Sequence, residues 1–250
     1  MPLKKNRRKG NKPKFYEKAR QWFSVKGRIR TEGFRRVAFR NRGEFIEIET
    51  SKGKIKVMKR RESAIYAGIE KPLYAFESSE GRIILVTKGR YKIKEAENLA
   101  INAYTVAEEA GAFFLEPVAT ASAHISKEHK VAYMTHFQWL HEEGAGKDLY
   151  LAPGWLRGKG FGLFLDSLRH VELARLGVRK WFANIANNPE SRKFAELRGF
   201  RRITREEATL LAKLAFGDSR LVSPDIIRES YMVKDLMPVR RKKAHRKKTI

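Results

Sequence analysis

Apolar and polar residues alternate along "FIEIET" (45–50): Ile46, Ile48 and Thr50 fall on one side, Phe45, Glu47 and Glu49 on the other. "KIKVMK" (54–59) answers it across the turn "SKG". Period-two alternation on both sides of a short polar turn predicts a hairpin. "PLYAF" (72–76), the turn "SSEG" and "RIILVTK" (82–88) predict a second. In "IKEAENLAINAYTVAEEAG" (93–111), Leu99, Ala103, Val106 and Ala110 stand at helical spacing, and Gly111 suits a left-handed cap, so a helix is expected there. "AFFLEPVATASAHIS" (112–126) and "KVAYMTHFQWL" (130–140) predict strands, and "KDLYLA" (147–152) a further short one. A helix follows from residue 161, with Phe161, Phe164, Leu165, Leu168 and Val171 on its apolar face.

"VRKWFANIA" (178–186) reads as a strand. "NNPESRKFAELRGF" (187–200) opens with an asparagine cap and a proline in the first turn, which predicts a helix. Thr204 with Glu207 makes a capping box before "ATLLAKLAFG" (208–217), and "ESYMVKDL" (229–236) closes with a strand. The interleaved strands and helices imply an α/β fold, a mixed central sheet flanked by helices.

Charge divides the chain. The net charge is +26, and cysteine is absent, so disulfides and thiolate metal sites are excluded. Residues 1–60 hold 21 Lys and Arg against 5 Asp and Glu, residues 238–250 hold 7 against none, and the stretch between is close to neutral. Three parts are expected: a basic arm and small β module over 1–70, with a short helix at "KFYEKARQWF" (14–23), an α/β domain over 71–237, and a basic tail over 238–250. Clustered cations attract phosphate polymers through counterion release, without reading sequence. Nucleic acid, DNA or RNA, is the expected partner, through Arg35, Arg36, Arg40, Arg240, Arg241, Lys242 and Lys243. A solubilising tail is the alternative. No apolar run is long enough to span a membrane, no amphipathic face suits a membrane surface, and no secretory signal is present, so a cytoplasmic location is expected.

The most informative local pattern is "LRGKGFG" (156–162), a glycine-rich basic turn placed directly before a helix. The first backbone N–H groups of a helix lack intrahelical partners, and the helix dipole favours an anion beside them. Gly158, Gly160 and Gly162 allow close approach, and Arg157 and Lys159 add positive charge. A phosphate or pyrophosphate is the ligand this arrangement suits. Neither the P-loop lysine pattern nor the dinucleotide fingerprint is matched.

Residues 148–203, read with "SYMVKDL", resemble the core of the Gcn5-related N-acetyltransferase superfamily, and the resemblance extends over about residues 80–237. Its Arg/Gln-x-x-Gly-x-Gly/Ala pattern is matched by Arg157, Gly160 and Gly162, its later strand by 178–186, and its asparagine and "GF" by Asn188 and Gly199–Phe200. The resemblance implies an acyl-CoA-dependent N-acetyltransferase using acetyl-CoA or another acyl-CoA. Backbone amides of Gly158, Lys159, Gly160, Phe161 and Gly162, with Arg157, would hold the pyrophosphate. The strand edge near Leu151 would pair with the pantetheine arm, and Asn188 would lie beside it. Many members protonate the leaving thiolate with a tyrosine seven residues after that asparagine; Ala195 stands there in this chain. Another group would have to serve, such as Ser191 or a water.

Candidate bases lie in "THFQWLHEEG" (135–144): His136, His141, Glu142 and Glu143, with a solvated strand end as the plainer reading. No metal site is expected. His136 and His141 would face opposite sides of a strand, without a third ligand. Two other readings keep the fold: a DNA base-modifying enzyme like the phage Mom proteins, or a non-catalytic nucleic-acid- or ribosome-binding scaffold.

Overall fold

The computed structural model describes residues 31–58, 71–93, 96–139, 152–185, 189–216 and 230–236. The chain divides into two units, 1–30 and 31–250, and the described residues all lie in the second. The short helix expected at 14–23 and the tail 238–250 fall outside them.

Four strands come first: β1 (Phe34–Val37), β2 (Phe39–Asn41), β3 (Phe45–Thr50) and β4 (Gly53–Met58). The middle of the chain adds β5 (Lys71–Ser78), β6 (Ile83–Ile93), β7 (Ala96–Glu109), β8 (Ala112–Ser126) and β9 (Val131–Trp139). Then follow α1 (Phe161–Arg175), β10 (Lys180–Ile185), α2 (Pro189–Leu197), β11 (Arg201–Arg202), α3 (Arg205–Phe216) and β12 (Ser230–Asp235). One sheet runs β1-β5-β6-β7-β8-β9-β10-β12-β11. The architecture is the mixed α/β fold expected, a central sheet with helices against it. Both hairpins form, Pro189 opens α2, and the Thr204 hydroxyl accepts the Glu207 N–H at 3.2 Å as the capping box requires. No helix among the described residues is long and apolar enough to cross a membrane.

The helix expected over 93–111 is instead strand β7, paired with β6 on one side and β8 on the other. Leu99, Ile101 and Ala103 face one way and Asn98, Ala100 and Asn102 the other, and all are buried. Burial of both faces removes the apolar–polar alternation that marks a strand, and small alanines then match a helical period by coincidence.

At one end the sheet closes on itself. β8 pairs with β7 along one edge; its other edge pairs with β4 at Phe113 and Phe114 and with β9 from Ala119 onward. β4 pairs with β3, β3 with β2, and β2 continues β1 across Ala38, whose carbonyl accepts the Glu49 N–H. β1 returns to β5. The strands therefore ring a barrel whose core holds Val37, Ile46, Ile48, Val57, Ala75, Leu85, Tyr104 and Leu115. The segment expected to be a separate small module thus shares one sheet and one core with the strands after residue 71. One barrel end is latched by Glu77, 2 % exposed, whose carboxylate accepts Arg35 and both the N–H and hydroxyl of Ser51.

Beyond the barrel, β9, β10 and β12 extend the sheet flat. The outer face of β5 to β8 lies under α1, where Phe161 and Phe164 pack edge-on against Phe76, and Phe164 against Tyr74. The opposite face of β9, β10 and β12 carries α3, in a cluster of Val131, Phe182, Ala208, Leu211, Tyr231 and Val233.

Candidate active site

β9 and β10 are parallel, joined by α1 in the crossover that parallel neighbours need. They pair only at Lys180↔Val131, Trp181↔Ala132 and Phe182↔Tyr133. Beyond that point β9 follows β8 to Trp139 while β10 follows β12 to Ile185. The reason lies in β9. Ser122 stands opposite His136, but Ala123 stands opposite Met134, so Thr135 is an extra residue. Such a bulge bends its strand and increases local twist. Among the described residues no ladder joins β9 to β10 past the bulge. That edge of β9 is a template for an extended ligand, which would bind as an added strand does.

The glycine turn opens α1. Leu156 and Arg157 donate to the Pro153 carbonyl at 2.8 and 2.9 Å, and Lys159 N–H reaches Leu156 at 3.2 Å. Gly158 and Gly160 sit at φ +74° and +83°, a left-handed conformation open to glycine at little cost. Gly160 caps the helix without a side chain. The first amide of the helix region to find a backbone acceptor is Phe164, which donates to Gly160 at 2.9 Å. Among the described residues nothing accepts from the amides of Gly158, Gly160, Phe161, Gly162 or Leu163. These donors and the helix dipole make the start of α1 electropositive. Phe161 serves through its backbone only, since its ring is buried against Phe34 and Phe76. Arg157 is exposed, its Nη2 3.5 Å from the Ala152 carbonyl. The turn is held from the barrel side: Glu32 N–H donates to the Lys159 carbonyl at 3.1 Å, and the Arg82 guanidinium lies 5.2 Å from the Trp155 ring centre.

The glycine turn and the gap lie at the same end of the sheet. Tyr74, which Phe164 touches in the first turn of α1, begins a cross-strand row through Val86, Ala103 and Ala119 to Trp139, the last residue of β9. The strand expected to end at Leu151–Ala152 does not reach Ala152, which is irregular, and 147–151 lie outside the described residues. The strand that borders the gap is β9.

Further along, α1 buries charges that its sequence would assign to solvent. Arg169 is fully buried and donates to the Ser122 carbonyl at 2.8 Å. Asp166 takes ion pairs from both Arg169 and Arg198. Both guanidiniums lie over Trp181, at 5.0 and 5.8 Å from the ring centre. Burial lowers each to about 9. Burial, then the charge of Lys234, lowers His170 to about 4, so it is neutral at pH 7. Lys88 pairs with Glu172 at 2.6 Å, and Arg175 adds a second cation there. Burial opposes the Glu172 charge, but the bonds from Lys88 and Arg175 outweigh it and hold the carboxyl below the usual range.

The other expected residues fall as follows. His136 is in β9, opposite Ser122, at the bulge; Ser191 is in α2. His141, Glu142, Glu143, Leu151 and Asn188 lie outside the described residues, as do Arg240, Arg241, Lys242 and Lys243. Ala195, at the position of the missing tyrosine, is buried, and its carbonyl accepts the N–H groups of Arg198 and Phe200. Arg35 is paired with Glu77, Arg36 lies 4.7 Å from the Tyr74 ring centre, and Arg40 stands opposite Glu47. Among the described residues no three His, Asp or Glu side chains gather as a metal site. Sequence reasoning missed the Thr135 bulge and the polar positions Thr87 and Asn102 on β6 and β7.

No family model and no curated protein matches this chain. Among solved structures it is similar to N-acetylglutamate synthase from Neisseria gonorrhoeae complexed with coenzyme A and N-acetyl-glutamate, at 16 % identity and TM-score 0.35. That match covers 54 % of this chain and 26 % of the synthase. It is also similar to Tetrahymena GCN5, at 11 % identity and TM-score 0.34 over 57 % of this chain and 70 % of that one. The Escherichia coli ribosomal-protein-S18-alanine N-acetyltransferase matches at 13 % identity and TM-score 0.33, over 60 % and 76 % of the two chains.

Proposed function

We propose that the chain is an acyl-CoA-dependent N-acyltransferase of the Gcn5-related kind that works in association with nucleic acid or a ribonucleoprotein. The observation that carries this reading is the parting of β9 and β10 at a bulge, at the sheet end where a glycine turn presents amides with no acceptor among the described residues. An acyl-CoA is long, extended in its middle and doubly anionic at its pyrophosphate. The amides of Gly158, Gly160, Phe161 and Gly162 suit the pyrophosphate, and the edge of β9 that no described strand pairs suits the extended arm. The donor supplies a thioester carbonyl. The acceptor nitrogen forms the new C–N bond, the C–S bond breaks, the thiolate leaves with the electron pair, and the amine proton passes to a base. His136 is the described candidate nearest the gap in register. Without a tyrosine at 195, thiolate protonation falls to another group or to water, at a typical cost of about 10²–10⁴ in rate.

Association with nucleic acid is supported by the net charge of +26 and its concentration at the two ends. Deleting residues 238–250 is expected to flatten the salt dependence of nucleic-acid binding, read by titration at several salt concentrations.

Calorimetric titration of the full chain with coenzyme A tests the donor site. Binding is expected, and Arg157→Glu with Gly160→Glu is expected to abolish it while leaving nucleic-acid affinity within a few-fold. Absence of coenzyme A binding by the folded wild type would overturn the acyl-transfer reading.

A further inference from the structure

The sheet face that lines the barrel changes character past the barrel's end. Above the Glu77 latch lie Ala75, Leu85 and Tyr104 of the apolar core. Beyond them, cross-strand register stacks three rows on the same inner face of β6, β7 and β8. The first row is Thr87, Asn102 and Thr120. The second is Gly89, Ala100 and Ser122, and the third is Tyr91, Asn98 and His124. Direct cross-strand partners share a face, and residues two apart on a strand share it too. The middle row projects nothing larger than a hydroxymethyl, so the outer rows wall a trough whose floor is close to bare backbone. In backbone register, Gln138 of β9 stands opposite Thr120 and His136 opposite Ser122. The third row continues onto β9 at Tyr133, opposite His124, which packs against the cluster under α3.

The walls are polar and buried. Thr87 is fully buried and its hydroxyl has no hydrogen-bond partner. Asn102, directly opposite, is 8 % exposed. His124 Nδ1 lies 3.4 Å from Asn98 Oδ1. Burial lowers the His124 pKa, against a bond to the Ala215 carbonyl that raises it, so its ring is neutral at pH 7. Buried polar groups in proteins are almost always paired. A buried hydroxyl left without a partner, directly opposite a carboxamide and just past the end of the barrel, is what a binding site looks like without its ligand. The three rows contain no carboxylate and no permanent cation. An ammonium entering here would lose its hydration without a counter-charge. A planar neutral group with a donor beside an acceptor matches the Asn102 carboxamide and the flanking hydroxyls.

We infer that this trough is the acceptor pocket and that it takes a neutral planar edge with adjacent hydrogen-bond donor and acceptor, such as a nucleobase or a primary carboxamide displays. Its role as acceptor pocket rests on the acyl-transfer reading; its capacity to bind rests on the buried groups alone.

Calorimetric titration of the full chain with adenosine and, separately, with N-acetylglycinamide tests it. At least one neutral probe is expected to bind, and which one binds identifies the source of the edge. Thr87→Val and Asn102→Leu are each expected to weaken that probe at least tenfold while coenzyme A affinity stays within twofold. Thermal melting reports whether each variant is folded, and either variant alone carries the test. Lysinamide, a cationic amine, is expected not to bind; binding equal to a neutral probe overturns the assignment. If neither neutral probe binds while coenzyme A does, or if binding survives both substitutions, the pocket is wrong and the donor site stands. If the probe binds and the variants lose it while coenzyme A never binds, the acyl-transfer reading fails and the pocket stands.

Discussion

The outer face of β6 to β8, under α1, buries full charges; the inner face, past the end of the barrel, buries neutral amides and hydroxyls. Outside, Asp166 meets Arg169 and Arg198, Arg169 also meets the Ser122 carbonyl, and Glu172 meets Lys88 and Arg175. On the inner face, Thr87 and Asn102 stand opposite each other, and the Thr87 hydroxyl has no partner. Removing one member of a buried ion pair leaves an uncompensated charge, so the outer network, in which each charge meets a counter-charge, is a lock that fixes α1 and the α2–β11 corner on the sheet. A buried neutral group costs less when unpaired, and its free valence remains available to a ligand. Full charges held by counter-charges on one face, and neutral polar groups on the other, thus set the two faces apart.

The sharpest way to break that contrast is Asp166→Ala. It leaves two buried guanidiniums without their shared anion and is expected to cost about 3–5 kcal/mol in a denaturant titration. Replacing all three, with Asp166→Leu, Arg169→Met and Arg198→Met together, is expected to recover most of that loss. If the single change costs no more than an exposed ion pair, the lock does not exist.

Next in size is the glycine turn that starts α1. Gly160→Ala puts a side chain into a left-handed conformation at φ +83° and is expected to cost about 1–2 kcal/mol. Because the strain falls on the amides of the turn, coenzyme A affinity is expected to fall with it. Unchanged affinity in a destabilised variant would separate the turn from the binding site.

Local rules made much of this legible. The hairpins at 45–58 and 71–88, the cap at Thr204 and the proline at the start of α2 are written in a few adjacent residues each. The glycine turn was equally local. The strand β7 was not, because alternation disappears when both faces are buried. The barrel was not, because closure depends on the bend at Ala38 and on β4 reaching β8, pairings far apart in sequence. The Thr135 bulge carries no compositional mark. Thr87 in "RIILVTK" and Asp166 in "LFLDSLRH" read as solvent positions, since no sequence pattern says that a second layer will cover them. The candidate site was visible where it is backbone and glycine, and hidden where it depends on what lies opposite.

Lys234 offers a test of the outer network through pH. Burial first, and the charge of Arg198 second, lower its ammonium from 10.5 to about 8. Below about pH 8 the folded chain carries a charge it disfavours. Between there and the ordinary lysine value the folded state has released a proton that the unfolded state keeps, so stability is expected to rise with pH across that window. Lys234→Met removes the titration. It is expected to gain on the order of 1 kcal/mol at pH 7, after allowance for partial exposure, and to flatten the rise. A wild-type profile that is flat from pH 7 to 10 would show that Lys234 is not coupled to this cluster.

The smallest expected effect has the opposite sign to the first. Thr87→Val keeps the shape of the side chain and removes a buried hydroxyl without a partner. In the free protein that change is expected to stabilise by up to about 1 kcal/mol, seen as a higher denaturation midpoint with an unchanged slope. A hydroxyl kept only for structure would have a partner, and its removal would destabilise. Stabilisation together with weaker probe binding is the signature of a group held in readiness for a ligand, since natural sites give up stability for function. Destabilisation would instead place Thr87 with Asp166, among the groups that hold the fold, and the contrast between the two faces would disappear.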